Sequence, residues 1–227
     1  MCSLSVVIPT FNEATELPET VRYARQVPEV FEVIVVDGGS TDGTAGLAEE
    51  LGCQVFTANP GRGGQMRLGA SHASRDIVLL LHADTWLPPD AGHAIGECLQ
   101  DPMVVGGGFR KTFRERHLLK IGARFRSALF FHLGGPILGD QGLFVRRTVL
   151  ERIGGVPDMP LMEEFELCRR LRREGRLKLA RATVSTSVRR FAKRGVLRTY
   201  LRMGQVLLGY YLGRPVEELV RKYEQKR

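Results

Sequence analysis

Residues 31–43, FEVIVVDGGSTDG, carry an apolar run directly into a glycine-rich turn, and this junction decides the fold. The run Phe31–Val36 is rich in β-branched residues, as in a strand buried inside a sheet. Asp37 follows where that strand is predicted to end. The next segment is predicted to be a helix that stops near Gly52. The stretch therefore predicts a strand, a polar turn and a helix in succession.

The same alternation continues on both sides of this stretch. The other predicted segments of the first half are strands at Leu4–Pro9, Cys53–Thr57 and Ile77–Leu81 and helices at Asn12–Arg25 and after Gly64 up to about Ala73. Alternation at this spacing implies right-handed crossovers and a mainly parallel central sheet with helices on both faces, the α/β class. Ligands of such sheets bind at the carboxyl ends of the strands.

The second half of the chain is less regular. Its predicted elements are a strand at Val104–Phe113, a helix at Leu118–Phe131, a turn at Gly139–Gln141 and a helix at Glu163–Glu174. At 227 residues and 43% hydrophobic composition, the chain is long enough to bury the core of one domain. We expect one catalytic domain over residues 1–195, with a donor half (1–100) and an acceptor half (101–195), and a basic helical tail at 196–227.

The charge of the chain is concentrated in this tail. Residues 181–227 carry 12 Lys and Arg against 3 Asp and Glu, whereas the net charge of the whole chain is +8. A basic segment can face anionic lipid, nucleic acid or a phosphorylated substrate, and charge alone does not choose among them. Val196–Leu212 mixes apolar residues with arginines, as an amphipathic helix on a membrane surface does. Packing against the catalytic domain is the alternative.

Composition also bears on the cellular compartment. The four cysteines form no C-x-x-C pair, so neither a zinc cluster nor a disulfide framework is indicated, and a reducing cytosolic setting fits. The first predicted strand begins at Leu4, which leaves no room for a signal peptide. The longest uncharged stretch, Ser127–Gly139, is 13 residues, shorter than the ~20 of a membrane-spanning helix. We expect a cytoplasmic protein, with peripheral contact at the inner face of the membrane as one role for the tail.

Three segments at predicted strand ends carry candidate chemistry. Asp37 can accept hydrogen bonds from a nucleoside, or it can stabilise its own Asp-Gly-Gly turn. The loop Gly61–Gln65 precedes a helix, an arrangement that aims backbone N–H groups and the Arg62 charge at phosphate, although a flexible loop is the alternative. Asp84 ends the fourth strand on the same predicted edge as Asp37, where a divalent cation can bridge a carboxylate and two phosphates.

These segments resemble, in order, the motifs of family 2 glycosyltransferases of the GT-A fold. The family pattern has a strand ending in Pro-x-x-Asn-Glu, then V-V-D-x-S-x-D, a G-x-G loop and D-x-D. The matching segments here are Pro9–Glu13, Val35–Asp42, Gly61–Gly64 and His82–Asp84. Further on, Met162–Leu167 is similar to the family's Glu-Asp segment, and Ser187–Phe191 to its Q-x-x-R-W segment. The resemblance covers about residues 4 to 195.

The resemblance implies a GT-A fold, that is, a Rossmann-like nucleotide-diphospho-sugar transferase, and a set of site residues. Glu164 would be the catalytic base, and Asp84 the ligand of Mg²⁺ or Mn²⁺. The residues that would bind the donor nucleotide are Pro9, Asn12, Glu13, Asp37, Gly39, Gly61, Arg62, Gln65 and Arg190. The residues that would lie on the acceptor side are Asp140, Gln141, Glu163, Arg189 and Phe191.

Several of these residues have plain structural alternatives. Glu163 and Glu164 are also typical of acidic residues in the first turn of a helix. Arg189 and Arg190 continue the basic tail, and Asp140 suits a turn. The segments His82–Thr85, Gly139–Phe144 and Ser187–Phe191 further resemble a compact bacterial subgroup described as arsenosugar-biosynthesis or radical-SAM-associated glycosyltransferases.

The chain departs from the family pattern at three positions. His82 stands in place of the first Asp of D-x-D, Glu164 in place of the usual Asp base, and Phe191 in place of Trp. A neutral imidazole is a poorer ligand for Mg²⁺ than a carboxylate is, although Mn²⁺ tolerates it better. We therefore expect Asp84 to contact the metal directly or through water, and His82 to lie behind it or to be structural.

The resemblance implies transfer of a sugar from a nucleoside-diphosphate donor, linked to UDP, GDP or dTDP, to an unknown acceptor hydroxyl, with inversion. Glu164 would take the hydroxyl proton, while the metal, Arg62 and Arg189 or Arg190 would neutralise the leaving diphosphate. A nucleotidyltransferase is a rival, but that class resembles G-x-G-x-R after the first strand, where this chain has Pro9–Glu13. A nucleic-acid-binding module is supported only by the basic tail, so we expect no nucleic-acid partner.

Overall fold

A computed structural model describes residues 2–115, 121–189, 195–216 and 218–220. The elements of the first half are β1 (Leu4–Thr10), α1 (Leu17–Arg25), β2 (Val30–Asp37), α2 (Thr44–Glu50), β3 (Gln54–Thr57), α3 (Arg62–His72), β4 (Ile77–Leu80), β5 (Thr85–Trp86) and α4 (Ala91–Leu99). Those of the second half are β6 (Val104–Phe113), α5 (Ala123–His132), a 3₁₀ turn (Gly139–Gln141), β7 (Leu143–Arg146), α6 (Arg147–Arg152), α7 (Glu163–Glu174), β8 (Arg176–Thr186) and α8 (Val196–Tyr211).

One sheet runs through both halves of the chain, in the order β3-β2-β1-β4-β7-β6-β8-β5. β1 pairs in parallel with β2 and β4, β2 with β3, and β6 with β8. The short strand β7 is antiparallel to both β4 and β6, and β5 is antiparallel to β8. The predicted parallel sheet is therefore confirmed for the first half and is mixed in the second.

Helices cover both faces of the sheet, as the sequence predicts. On one face, Val6 and Ile8 of β1 belong to a core cluster that includes Leu17 of α1 and Ile95 of α4. On the other face, Val7 belongs to a cluster that includes Met66 of α3 and Leu167 and Leu171 of α7. Neighbouring residues of β1 point to opposite faces, and this alternation divides the core into two layers.

Several predicted boundaries are corrected. The helix predicted to begin at Asn12 begins at Leu17, because Asn12 has a positive φ of 55° and residues before Leu17 form a turn. The helix predicted from Leu118 begins at Ala123, and the first residues of that prediction lie outside the described ones. Strands β5, β7 and β8 and helices α4 and α6 were not predicted. The predicted turn at Gly139–Gln141 and the helix at Glu163–Glu174 are confirmed.

The tail forms the predicted helix over Val196–Tyr211. Val206 of α8 packs with Met162, beside the start of α7, and with Leu219. The packing alternative for the tail is therefore confirmed for one face of α8. Among the described residues, we find no helix with the length and apolar character needed to cross a bilayer.

Candidate functional site

The carboxyl ends of β1, β2 and β4 form one edge of the sheet, called here the carboxyl edge. In the register of the parallel strands, Thr10 of β1 lies opposite Asp37 of β2. β4 lies on the other side of β1 and leads directly into His82 and Asp84. The predicted placement of Asp37 and Asp84 on one edge is thus confirmed, because neither crossover reverses the direction of these strands.

The carboxylate of Asp37 is buried and is engaged by its own turn. One oxygen accepts hydrogen bonds from the backbone N–H groups of Gly39 (2.9 Å) and Ser40 (2.7 Å). The other oxygen accepts from the hydroxyls of Ser40 (2.5 Å) and Thr10 (3.1 Å). These contacts match the turn-stabilising alternative, and Gly39 has the positive φ of 85° that such a turn requires. A direct contact of Asp37 with a nucleoside stays a prediction.

The turn after β1 is joined to the turn after β2. The backbone N–H of Asn12 donates to the hydroxyl of Ser40 (2.8 Å), and Asn12 Oδ1 accepts from the N–H of Thr41 (2.9 Å). The N–H of Glu13 donates to Thr44 Oγ1 (3.0 Å). Asn12 therefore holds the two turns together in its left-handed conformation, a strain that the surrounding contacts maintain.

Gln65 of α3 lies in the core rather than in the crevice. Its buried side-chain amide donates to the carbonyl of Thr10 (2.7 Å) and to that of Val36 (2.8 Å). Both amide hydrogens therefore fasten the ends of β1 and β2 to α3, and the donor-binding role of Gln65 stays a prediction. Pro9 likewise belongs to β1, where it is paired with Val36.

The glycine-rich loop is packed against a loop of the second half. A Cβ added to Gly63 would lie 2.3 Å from the carbonyl oxygen of Met159 and 2.7 Å from that of Pro157. Gly61 has a φ of +151° and directly precedes α3. The flexible-loop alternative is therefore excluded for Gly63, since only glycine leaves room for the 157–159 backbone.

Arg62, the first residue of α3, meets two glutamates and a histidine. Its Nε donates to Glu163 Oε1, one terminal nitrogen lies 3.7 Å from Glu164 Oε1, and the other lies 3.4 Å from His82 Nε2. His82 Nε2 is itself 3.3 Å from Glu164 Oε1. We call these four residues the Arg62 cluster. They bring the predicted phosphate-binding arginine and the predicted base into contact.

The Arg62 cluster is enclosed. The side chain of Glu163 is fully buried, that of Glu164 is 10% exposed, and Arg62 is 32% exposed. Within the described residues, Glu163 Oε2 is buried and has no hydrogen-bond partner. Met162, which precedes both glutamates, has a positive φ of 66° that is rarely adopted by a residue with a side chain. Such strain is typical of functional sites.

Gly139 covers the carboxylate of Glu164. A Cβ on Gly139 would lie 1.9 Å from His82 Nε2 and 2.2 Å from Glu164 Oε1. The turn that follows is fixed by Gln141, whose buried amide donates to the carbonyl of Phe109 (3.0 Å). The side chain of Gln141 is buried, and its predicted acceptor-side role stays a prediction. Asp140 forms an ion pair with Lys111 at 2.5 Å.

The surroundings of Glu164 act on its pKa in opposite directions. Burial raises the pKa of a carboxyl group, but the charge of Arg62 and the contact with His82 outweigh it and hold the pKa of Glu164 well below its usual value. The carboxylate is therefore charged and a weak base as long as Arg62 stays beside it. The structural alternative for Glu163 and Glu164 is also confirmed, because both are acidic residues in the first turn of helix α7.

A second group of charges lies around Asp84. Arg114, at the end of β6, donates to the carbonyl oxygen of Asp84 (2.6 Å) and to Glu16 Oε2 (2.6 Å), and its guanidinium stacks on Trp86. Arg189 pairs with Glu13 at 2.6 Å. Burial raises the pKa of Glu13, and the nearby charge of Asp84 adds to this effect.

Strand β8 explains how Arg189 reaches the donor half. Thr186 at the end of β8 is paired with Thr85, the residue after Asp84, so the chain that follows β8 emerges beside Asp84. Arg190 and Phe191 lie outside the described residues. Arg114, Lys111 and Glu16 were not predicted from the sequence, because their partners are distant in the chain and no motif contains them.

The comparisons with known proteins agree on one family. The model described as "Glycosyl transferase family 2" matches residues 5–154. An undecaprenyl-phosphate 4-deoxy-4-formamido-L-arabinose transferase of Sodalis glossinidius (strain morsitans) is 30% identical over 155 residues, which are 63% of this chain and 48% of the relative. The same-named transferase of Proteus mirabilis (strain HI4320) is 27% identical with the same coverage. The chain spans about half the length of the curated relatives it matches.

Two solved structures show the fold. The mannosyltransferase PcManGT from Pyrobaculum calidifontis, in complex with GDP-Man and Mn²⁺, has a TM-score of 0.64 at 21% identity, over 89% of this chain and 60% of that one. Glucosyl-3-phosphoglycerate synthase from Mycobacterium tuberculosis, in complex with Mn²⁺, UDP and glucosyl-3-phosphoglycerate, has a TM-score of 0.63 at 21% identity, over 94% and 81%. The α/β GT-A fold expected from the sequence is confirmed.

Proposed function

The chain belongs to glycosyl transferase family 2, and from that premise we propose that it moves a sugar from a nucleoside-diphosphate donor to an acceptor oxygen. The observation that carries the proposal is the Arg62 cluster, in which a cation at the start of α3 contacts two carboxylates at the start of α7. In this arrangement the cation would bind a phosphate group of the donor, and a carboxylate on the other side would bind the acceptor oxygen. The carboxyl edge is also where α/β sheets of this kind bind ligands.

The donor diphosphate would draw Arg62 away from the glutamates. Arg62 contacts Glu163, Glu164 and His82 in this structure, and the diphosphate of a nucleotide sugar carries as many negative charges as the two glutamates, on oxygens that accept paired hydrogen bonds from a guanidinium. Glu164 would then keep His82 as its neighbour but lose the stronger cation, so its pKa would rise. Donor binding thereby turns a weak base into a competent one.

In the transfer step, the acceptor oxygen forms a bond to the anomeric carbon of the sugar as the bond from that carbon to the diphosphate breaks. The acceptor proton passes to Glu164, and the nucleoside diphosphate leaves with the bonding electrons. Arg62 neutralises charge on the leaving group. A positioned carboxylate base is worth about 10²–10⁴-fold in rate.

A divalent cation fits the residues at the carboxyl edge in one way. Within the described part of the chain, no group of three or more His, Cys, Asp and Glu side chains is placed to hold a metal ion. Mg²⁺ in nucleotide sites is commonly held by one or two carboxylates together with the substrate's phosphates. Asp84 supplies such a carboxylate, and bound Mg²⁺ or Mn²⁺ would neutralise phosphate charge. His82 contacts Glu164, and this contact supports the expectation that His82 does not coordinate the metal directly.

A phosphate acceptor is the second candidate, and it is favoured in the case where Arg62 stays beside Glu164 after donor binding and keeps the pKa of that carboxyl low. A phosphate oxygen is already ionised at neutral pH and needs no base, whereas a hydroxyl does. The Sodalis glossinidius relative is named for an undecaprenyl-phosphate substrate. The narrower resemblance to the arsenosugar-biosynthesis or radical-SAM-associated subgroup stays a prediction.

The experiment that tests the function measures release of nucleoside diphosphate from UDP-, GDP- and dTDP-linked sugars with Mn²⁺. The purified chain is given a panel of hydroxyl acceptors and, separately, polyprenyl phosphate, and sugar-bearing products are identified by mass spectrometry. We expect one donor to be consumed with formation of a matching product. Absence of any release and of any donor binding would overturn the proposal.

A further inference from the structure

Helix α5 exposes a row of large apolar side chains, whereas Phe131 on its other side packs against the core. Its buried face holds the small residues Ala123 and Ser127. The exposed apolar residues, called here the α5 stripe, are spaced four apart and are 45% to 78% exposed: Ile121, Phe125, Leu129 and Leu133. A helix that serves only its own core shows the reverse arrangement, with the large apolar side chains inward. The α5 stripe therefore needs an explanation outside the core.

Helix α8 also exposes a row of large apolar side chains, whereas Leu207 and Tyr210 are partly buried against the protein. It buries Thr199, Val206 and Gly209 toward the rest of the protein. Its outer face carries the α8 stripe, which is 58% to 66% exposed: Leu201, Leu208 and Leu212. Monomeric proteins commonly expose single apolar side chains, but rows of them along a helix mark an interaction surface.

The charges beside these stripes are mostly positive. Residues 121–134 and 195–214 contain no Asp or Glu. They contain five arginines, namely Arg124, Arg126, Arg198, Arg202 and Arg214. Glu218, beyond these ranges, pairs with Arg214 (3.2 Å). Apolar rows flanked mainly by arginine are complementary to the surface of an anionic bilayer, where the side chains enter the headgroup region and the guanidinium groups meet phosphates.

We propose that the α5 and α8 stripes bind the surface of an anionic membrane. A second copy of the chain fits less well, because pairing these faces with one another would place arginines against arginines. A nucleic acid would satisfy the arginines but would leave the leucines and Phe125 in water. The proposal does not depend on the proposed sugar transfer, and it extends the membrane contact expected of the tail to a second helix in the acceptor half.

Co-sedimentation of the full chain with lipid vesicles tests the proposal. Vesicles of phosphatidylcholine alone are compared with vesicles that also contain phosphatidylglycerol, at low and at high salt. We expect the wild-type chain to pellet with the anionic vesicles and to be released as salt is raised, because screening weakens the attraction of the arginines. A chain that stays in the supernatant with anionic vesicles at low salt would overturn the proposal.

Paired substitutions assign the binding to the stripes. We expect F125S/L129S and L208S/L212S each to weaken binding to anionic vesicles by roughly tenfold or more, since each removes two large apolar side chains. F31S/M103S is the matched control, because Phe31 and Met103 are similarly exposed but lie on neither stripe. Circular dichroism confirms that each variant is folded.

Two results would count against this assignment. One is equal loss of vesicle binding in the control and in the stripe variants. The other is a change of oligomeric state in the stripe variants, by sedimentation velocity, with vesicle binding unchanged, which would assign the stripes to contacts between copies. Loss confined to the stripe variants supports the proposal.

Discussion

His82 Nε2 lies 3.3 Å from Oε1 of Glu164, so a residue in the turn after β4 contacts the second residue of α7. His82 is the position at which the chain departs from the D-x-D pattern of its family. The imidazole contacts Glu164 in the acceptor half. At this position the chain therefore has an imidazole beside the proposed base in place of a carboxylate.

Replacing Glu164 by Gln keeps the shape of the side chain but removes its ability to take a proton. For a hydroxyl acceptor we expect the transfer rate to fall by about 10²–10⁴-fold with donor binding retained. Rates are measured by product formation, and donor affinity by calorimetry. Glu174→Gln, in the last turn of the same helix, is the control and should leave both unchanged. A near-wild-type rate of transfer to a hydroxyl in Glu164→Gln would remove Glu164 as the base.

Gly139→Ala tests whether the cover over Glu164 matters. The added methyl group would overlap both His82 and Glu164, so we expect loss of transfer together with a decrease of about 1–3 kcal/mol in the free energy of unfolding. Urea denaturation measures the stability. Gly96→Ala is the control, because a Cβ there meets nothing within 4 Å and Ala is favoured over Gly in a helix by roughly 0.5–1 kcal/mol. Full activity in Gly139→Ala would contradict the enclosed site.

Much of the donor half was predictable, because its strands are buried on both faces and so appear as apolar runs such as Val33–Val36. Strand β8 was missed even though Arg176–Thr186 alternates between apolar and polar residues, as a strand covered on one face does. Its position directly after α7, among many arginines, hid that alternation. Strand β7 was missed as well, because its apolar run, Leu143–Val145, is shorter than the run Ile77–Leu80 that revealed β4.

The candidate site was predictable only where a motif marks it. Arg62 and Glu164 were both identified, but their contact spans about a hundred residues of sequence and depends on how α7 meets α3. The backbone contacts of Gln65 and Gln141 were not predictable. The presence of a residue in a motif does not tell whether its side chain faces a ligand or the core. Arg114 was missed because no motif contains it and because its partner Glu16 lies in a turn that is distant in the sequence.

Asp84→Asn tests the proposed metal site by binding. We expect the affinity for Mn²⁺ in the presence of donor to fall by at least roughly tenfold. Removing a group that only hydrogen-bonds to a metal ligand commonly lowers metal affinity by that factor, and loss of the ligand itself should lower it at least as much. Electron paramagnetic resonance of free Mn²⁺ measures this without turnover. Asp76→Asn is the control, because Asp76 is exposed and precedes β4, at the opposite end of that strand. Equal Mn²⁺ affinity in both variants would remove Asp84 as a ligand.

Stability in acid should depend on Glu166. Hydrogen bonds from Arg169, opposed by burial and helped by Arg170, lower the pKa of Glu166 from 4.5 to about 2. Because the folded-state pKa lies below the unfolded one, this group stabilises the fold above pH 4.5, and the stabilisation is lost as the pH falls from 4.5 toward 2.

Glu166→Gln removes this titration, so the free energy of unfolding should decline less steeply with falling pH in the variant than in the wild type. Urea denaturation across this pH range measures the slope. R169Q/R170Q should have the same effect, because it removes both partners of the carboxylate. An unchanged slope in both variants would contradict the role of the ion pairs.

The most direct test of the central claim is calorimetric titration of UDP-, GDP- and dTDP-linked sugars into the wild-type chain, into Arg62→Gln and into Arg67→Gln. Arg67 lies on the same helix but donates to the carbonyl of Val156, away from the carboxyl edge. We expect one donor to bind the wild type and Arg67→Gln alike, and Arg62→Gln to bind it roughly 10–100-fold more weakly, because a charge-assisted contact to phosphate is lost. Binding of no donor, or equal affinity in Arg62→Gln, would contradict the account.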